Sequence, residues 1–102
     1  MADTLSIDAQ VLLSAWFSFG PKTTVRVGGE GAKSVLTNRG KVAIDELISG
    51  GYVTANEFNH FGRMEYVGSE KCVGRRLSMA KMEKYGRWSP TEPNPALKGG
   101  AL

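Results

Sequence analysis

Apolar side chains crowd residues 7–19. On a helical wheel the polar Gln10, Ser14 and Ser18 fall on one narrow strip, and Val11, Leu12, Leu13, Ala15, Trp16 and Phe19 take most of the remainder. The pattern predicts a helix that starts at a Ser6 or Thr4 cap, holds Asp8 where the helix dipole favours an acid, and runs to about Phe19. Gly20-Pro21 ends it. A helix that is apolar on nearly every side needs burial on nearly every side, and a small domain has little with which to enclose it. Two fates follow: a central core helix, or a self-association surface with Leu12, Trp16 and Phe17 at the interface of a homodimer.

Further on, Thr23 to Val27 are β-branched and weakly alternating, which predicts one short strand. A glycine-rich turn then feeds a short helix expected from about Glu30 to Leu36. The stretch LTNRGKVAIDELISGGYV is the strongest helical signal: Thr37 or Asn38 is a good cap, Gly50-Gly51 a stop, and Gly40, Ala43, Ile44, Leu47 and Ile48 share one face. The other face presents Asn38, Arg39, Lys41, Val42, Asp45 and Ser49. YVTANEF and RMEYV then alternate as two strands joined by NHFG, a hairpin whose first strand carries Tyr52, Thr54, Asn56 and Phe58 on one side. A last helix is expected over GSEKCVGRRLSMAKMEKYG, capped by Ser69, with Cys72, Val73, Leu77, Met79 and Ala80 on one arc and Lys71, Arg75, Ser78 and Lys81 on the other. After Trp88, three prolines and no periodicity predict a flexible tail, so residues 1–88 read as the domain and 89–102 as the tail.

Length and composition narrow the function classes. A chain of 102 residues makes one domain with a single modest core. Hydrophobic content of 41% and charged content of 23% are those of a globular chain, and no apolar run approaches the ~20 residues of a membrane span, so no membrane partner is expected. The start, MADTLSIDAQ, lacks the basic opening of a secretory signal, and the expected location is cytoplasmic. One cysteine, Cys72, and one histidine, His60, give no disulfide and no cluster for a metal, so neither metal nor cofactor is expected. Nor do they assemble a nucleophile-base set. Asp45 and Glu46 are adjacent on a helix and point apart, so no catalytic residue is proposed and an enzyme is the least supported class.

The segment VRVGGEGAKSVLTNRGK invites a test for a phosphate-binding loop. Aligned on Lys33-Ser34, that loop needs glycine at positions 27 and 32, where this chain has Val27 and Ala32, so no nucleotide site is expected. The net charge of +3 is unevenly spread. Two basic segments, with Lys33, Arg39 and Lys41 in one and Lys71, Arg75, Arg76, Lys81, Lys84 and Arg87 in the other, flank a more acidic one. Such a distribution suits a bound polyanion or a solvated helix face.

With "LTNRGKVAIDELISGGYV" followed by a hairpin and "YVGS" on its return, residues 36–68 resemble the second helix and wing of the winged helix-turn-helix domains of small bacterial transcription regulators. The resemblance implies an α+β, winged helix-like fold of three to four helices with a β-hairpin wing. It also implies double-stranded DNA as partner: the helix from about Asn38 enters the major groove with Asn38, Arg39, Lys41 and Val42, Lys33 adds to phosphate neutralisation, and the wing, with His60 and Arg63, touches the backbone or the minor groove. In many such regulators the Leu-Thr-x-x-Gly signature opens the helix after the wing. Here it opens the one before, which leaves the choice of recognition helix open. The alternative is a protein-interaction module, a homodimeric adaptor on the same scaffold without nucleic acid.

Overall fold

The computed structural model describes residues 5–20, 22–28, 32–57 and 63–94. Its architecture is α+β. Helices α1 (Ile7–Leu12), α2 (Asn38–Ser49) and α3 (Met79–Tyr85) accompany a three-stranded antiparallel sheet of β1 (Thr24–Val27), β4 (Met64–Gly68) and β3 (Val53–Glu57), in that spatial order. A second, two-stranded sheet pairs β2 (Ser34–Leu36) with β5 (Thr91–Pro93).

Helix α2 forms as its pattern predicts. Thr37 is extended and its hydroxyl accepts from the Gly40 N–H, while Gly40, Ala43, Ile44 and Leu47 turn inward at three- and four-residue spacing. At the other end the Lys71 ammonium donates to the Gly50 carbonyl at 2.7 Å, where a cation satisfies both an orphan carbonyl and the helix dipole. The hairpin also forms. Val53 lies opposite Gly68, Ala55 opposite Tyr66 and Glu57 opposite Met64, and on the far side of β4 Val25 faces Tyr66 and Val27 faces Met64. Because side chains alternate along a strand, this register gathers Val25, Val27, Val53, Ala55, Met64 and Tyr66 on the core side and leaves Arg26, Thr54, Asn56 and Glu65 on the other. The expected grouping of Tyr52 with Thr54 and Asn56 is thus corrected: Thr54 and Asn56 are exposed, whereas Tyr52 precedes the strand and is fully buried. Phe58 lies outside the described residues.

Helix α1 starts at Ser6, whose hydroxyl accepts from the Ala9 N–H, but after Leu12 it widens into a π-helical turn over Leu13–Phe17. Ser14 and Ser18 of the narrow polar strip face inward. Ser18 Oγ donates to the Ser14 carbonyl at 2.7 Å, and Ser14 Oγ accepts from the Leu77 N–H at 2.9 Å, so both buried hydroxyls are satisfied. Leu12 and Phe17 have no accessible surface, because they complete this chain's own core; Phe17 lies on Gly68 of β4, where an added Cβ would come within 3.3 Å of it. A self-association surface would have to use the half-buried Trp16 without them.

Three further expectations are corrected. Residues 34–36 form a strand instead of the end of a short helix, because a partner distant in sequence, β5, offers them a ladder. That partner lies in the expected tail. The Thr37 N–H donates to the Pro90 carbonyl, the Asn94 N–H to the Lys33 carbonyl, and the Asn94 amide to the Ala32 carbonyl at 2.7 Å, so residues 89–94 belong to the domain. The prolines that forbid a helix here are compatible with a short edge strand. Finally, the single helix expected after Ser69 is two pieces: a 3-10 turn, Glu70–Cys72, capped by Ser69, and α3, capped by Ser78. Between them Gly74 takes φ +79°, a left-handed conformation that ends the first piece.

Gly40 is the point at which α2 meets this returning segment. An added Cβ there would overlap the Pro90 carbonyl oxygen and lie 3.1 Å from its carbon, both backbone atoms. In an exposed helix Gly→Ala stabilises by about 1 kcal/mol. Gly40→Ala should instead destabilise by about 1–3 kcal/mol, since the Thr37–Pro90 contact must open to admit the methyl. Urea unfolding followed by far-UV circular dichroism checks the sign.

Candidate functional site

On α2, Asn38, Lys41, Val42, Asp45 and Ser49 are all exposed and form one stripe along the helix. Val42 is 68% exposed, an apolar side chain at the middle of a polar stripe. Arg39, expected beside them, projects elsewhere. Its Nε and Nη2 donate to the Asp8 carboxylate at 2.7 and 2.9 Å, and its guanidinium lies 4.6 Å from the centre of the Trp88 ring. Glu46, one helical heptad further on, also faces α1 and accepts from the Ser6 N–H and the Ser6 hydroxyl at 2.6 and 2.7 Å. Arg39 and Glu46 therefore hold the start of α1, and Asp45 is the acid that stays on the exposed stripe.

Lys33 and Arg63 come together with a residue that sequence reasoning passed over. Together with Arg26, Gly28 and Ser34 they line an open cleft of about 320 Å³ where the end of β1 lies near the starts of β2 and β4. Arg26 pairs with Glu65, its cross-strand partner, at 3.0 Å. Among the described residues Lys33 and Arg63 form no ion pair, and Arg63 Nε is buried without a hydrogen-bond partner. The signal for Arg26 was present: with Val25 and Val27 inward, period-two alternation turns Arg26 outward. His60 lies outside the described residues.

Much of the second basic segment is occupied by structural contacts. Lys71 Nζ and the Arg75 guanidinium lie 4.5 and 5.0 Å from the ring centre of the buried Tyr52, and Arg76 lies 5.1 Å from that of Phe19. Such contacts stabilise by roughly 0.5–1 kcal/mol at exposed sites. Cys72 is buried, its thiol donates to the Tyr52 carbonyl, and burial pushes its pKa up, which disfavours the nucleophilic thiolate. Among the described residues no three His, Cys, Asp or Glu side chains gather into a group that could hold a metal, and no helix is long and apolar enough to cross a membrane.

Compared with protein-family models, with curated proteins and with solved structures, the chain gave no match in any of the three.

The Asp8–Arg39 pair has a pH signature. The hydrogen bonds from Arg39 hold the Asp8 carboxyl below its ordinary value of 3.8, against a smaller opposing effect of burial. A carboxyl whose folded pKa is depressed contributes stability above its unfolded pKa and loses it as pH falls through the folded one. Asp8→Asn should therefore reduce stability at pH 7 and flatten the acid limb below about pH 4, measured as urea midpoints of both proteins from neutral pH downward. Parallel acid limbs would contradict the pairing.

Proposed function

We propose that this chain is a small winged helix-like domain that binds double-stranded DNA, as the DNA-reading part of a transcription regulator. The observation that carries the reading is the exposed triplet Asn38, Lys41 and Val42 on a capped helix whose remaining sides are occupied by the core and by α1. Their chemistry suits a major groove: an amide can bond adenine in two places, an ammonium can meet guanine or a phosphate, and a valine methyl can pack on thymine. The chain order of helix, two strands, helix and hairpin, with the hairpin strand β4 between β1 and β3, is compatible with a wing beside the reading helix. The residues just before α2 are strand β2, so α1, tied to α2 through Glu46 and Arg39, takes the supporting part that a preceding helix would play. Asp45 confines contact to the first turn and a half of α2, the end from which such helices usually read.

A second reading, an interaction module without nucleic acid, draws on the exposed Phe19 and Met79, 66% and 86% accessible. Titration of a fluorescent duplex at several salt concentrations separates the two. The DNA reading expects Lys41→Ala to weaken binding and to lower the salt slope by about one unit, and Asn38→Ala to relax base preference by about 1–3 kcal/mol at one position. Neither change touches a core residue. No binding at low salt, or equal binding by Lys41→Ala and the parent, would favour the interaction module.

A further inference from the structure

We propose that the cleft between Arg26, Lys33 and Arg63 is a binding site for a phosphate group, separate from the α2 stripe and independent of the DNA reading. The cations come from three separate segments: the solvent face of β1, the residue before β2 and the residue before β4. Bringing like charges to one cleft is unfavourable unless something opposes them, and the carboxylate at hand is Glu65, across the ladder from Arg26 at 3.0 Å. Arg26 is engaged with Glu65, whereas Lys33 and Arg63 form no ion pair among the described residues and bring two positive charges to the cleft. Two charges match a phosphate monoester, which carries about −1.5 to −2 at neutral pH, or two successive backbone phosphodiesters.

The donors fit the same chemistry. Arg63 has a buried Nε with no acceptor, an unfavourable state that an anionic oxygen would relieve. Arg63 lines the cleft, and a guanidinium fork is suited to two oxygens of a tetrahedral anion. Lys33 is exposed and can close on the anion from the opposite bank, with the Ser34 hydroxyl beside it. Gly28 has φ +79° and, among the described residues, nothing within 4 Å of where a Cβ would stand, which leaves the backbone at the end of β1 open to a ligand. At about 320 Å³ the cleft has room for a phosphate with part of the group that bears it. Lys33-Ser34 thus takes part in a site built from side chains on three segments, which the spacing test for a glycine loop is not designed to detect.

The test is a titration followed by NMR of the 15N-labelled full chain in chloride buffer, with phenyl phosphate, a short DNA duplex and, as control, acetate at matched ionic strength. Phenyl phosphate or the duplex should shift the Gly28 and Ser34 amides and the Arg63 Nε–H saturably, and acetate should not. Lys33→Gln, at an exposed position, and Arg63→Gln should each weaken that binding by about tenfold or more, the effect of losing a charge-assisted hydrogen bond. Lys41→Ala should leave phenyl phosphate binding unchanged, so loss of the DNA reading and loss of this site are read separately. Response to phenyl phosphate identifies a free phosphorylated ligand as the source, and response to the duplex alone identifies a nucleic-acid backbone. The proposal is overturned if neither exceeds acetate, or if the shifts survive both cleft substitutions.

Discussion

The carboxylate of Glu46, accepting from both the backbone N–H and the hydroxyl of Ser6, is the interaction on which the arrangement of α2 depends. It joins α1 to α2 through residues forty apart in sequence and satisfies an orphan donor at the start of α1. Arg39 lies nearly two turns earlier on the same side of α2 and grips Asp8 in the first turn of α1. Once these two residues face α1, helical geometry leaves little choice: Gly40, Ala43, Ile44 and Leu47 enter the core, and Asn38, Lys41 and Val42 must face solvent. The Glu46 carboxylate, which would otherwise repel a polyanion from this helix, is turned toward α1 and engaged by Ser6.

Elements held together by local signals were legible in the chain. The Thr37 cap, the 40-43-44-47 spacing and Gly50 define α2 without any long-range information, and alternation in 53–57 and 64–68 defines the hairpin. What was not legible depends on distant partners or on backbone detail. Ser34–Leu36 is a strand because Thr91–Pro93 returns to it from some sixty residues away, and nothing in either stretch announces the other. The turn over Leu13–Phe17 is π-helical, and Ser14 Oγ meets the distant Leu77 N–H, so a wheel of ideal pitch does not show that both serines lie inward. Gly74 and Ser78 do carry a break-and-recap signal, which was overridden by the apolar arc drawn through them.

The candidate surfaces were half legible for a similar reason. Charge counted along the chain groups Lys33, Arg39 and Lys41, yet in space they serve three purposes: Lys33 lines the cleft, Arg39 braces α1, and Lys41 stands on the exposed stripe. Arg26 and Arg63, far apart in sequence and unremarkable in composition, are joined to Lys33 because β1 and β4 are neighbours in the sheet. Likewise Lys71 and Arg75, read as part of a solvated or polyanion-facing run, cover the ring of Tyr52, and Lys71 also closes the end of α2.

The orientation of α2 is therefore the central claim, and methyl NMR with a soluble gadolinium chelate measures it directly. If α1 holds α2 through Ser6–Glu46 and Asp8–Arg39, the Val42 methyls will broaden strongly, while those of Leu12, Ile44 and Leu47 remain sharp. Val42 protected as well as Ile44, or Leu12 broadened as strongly as Val42, would contradict it.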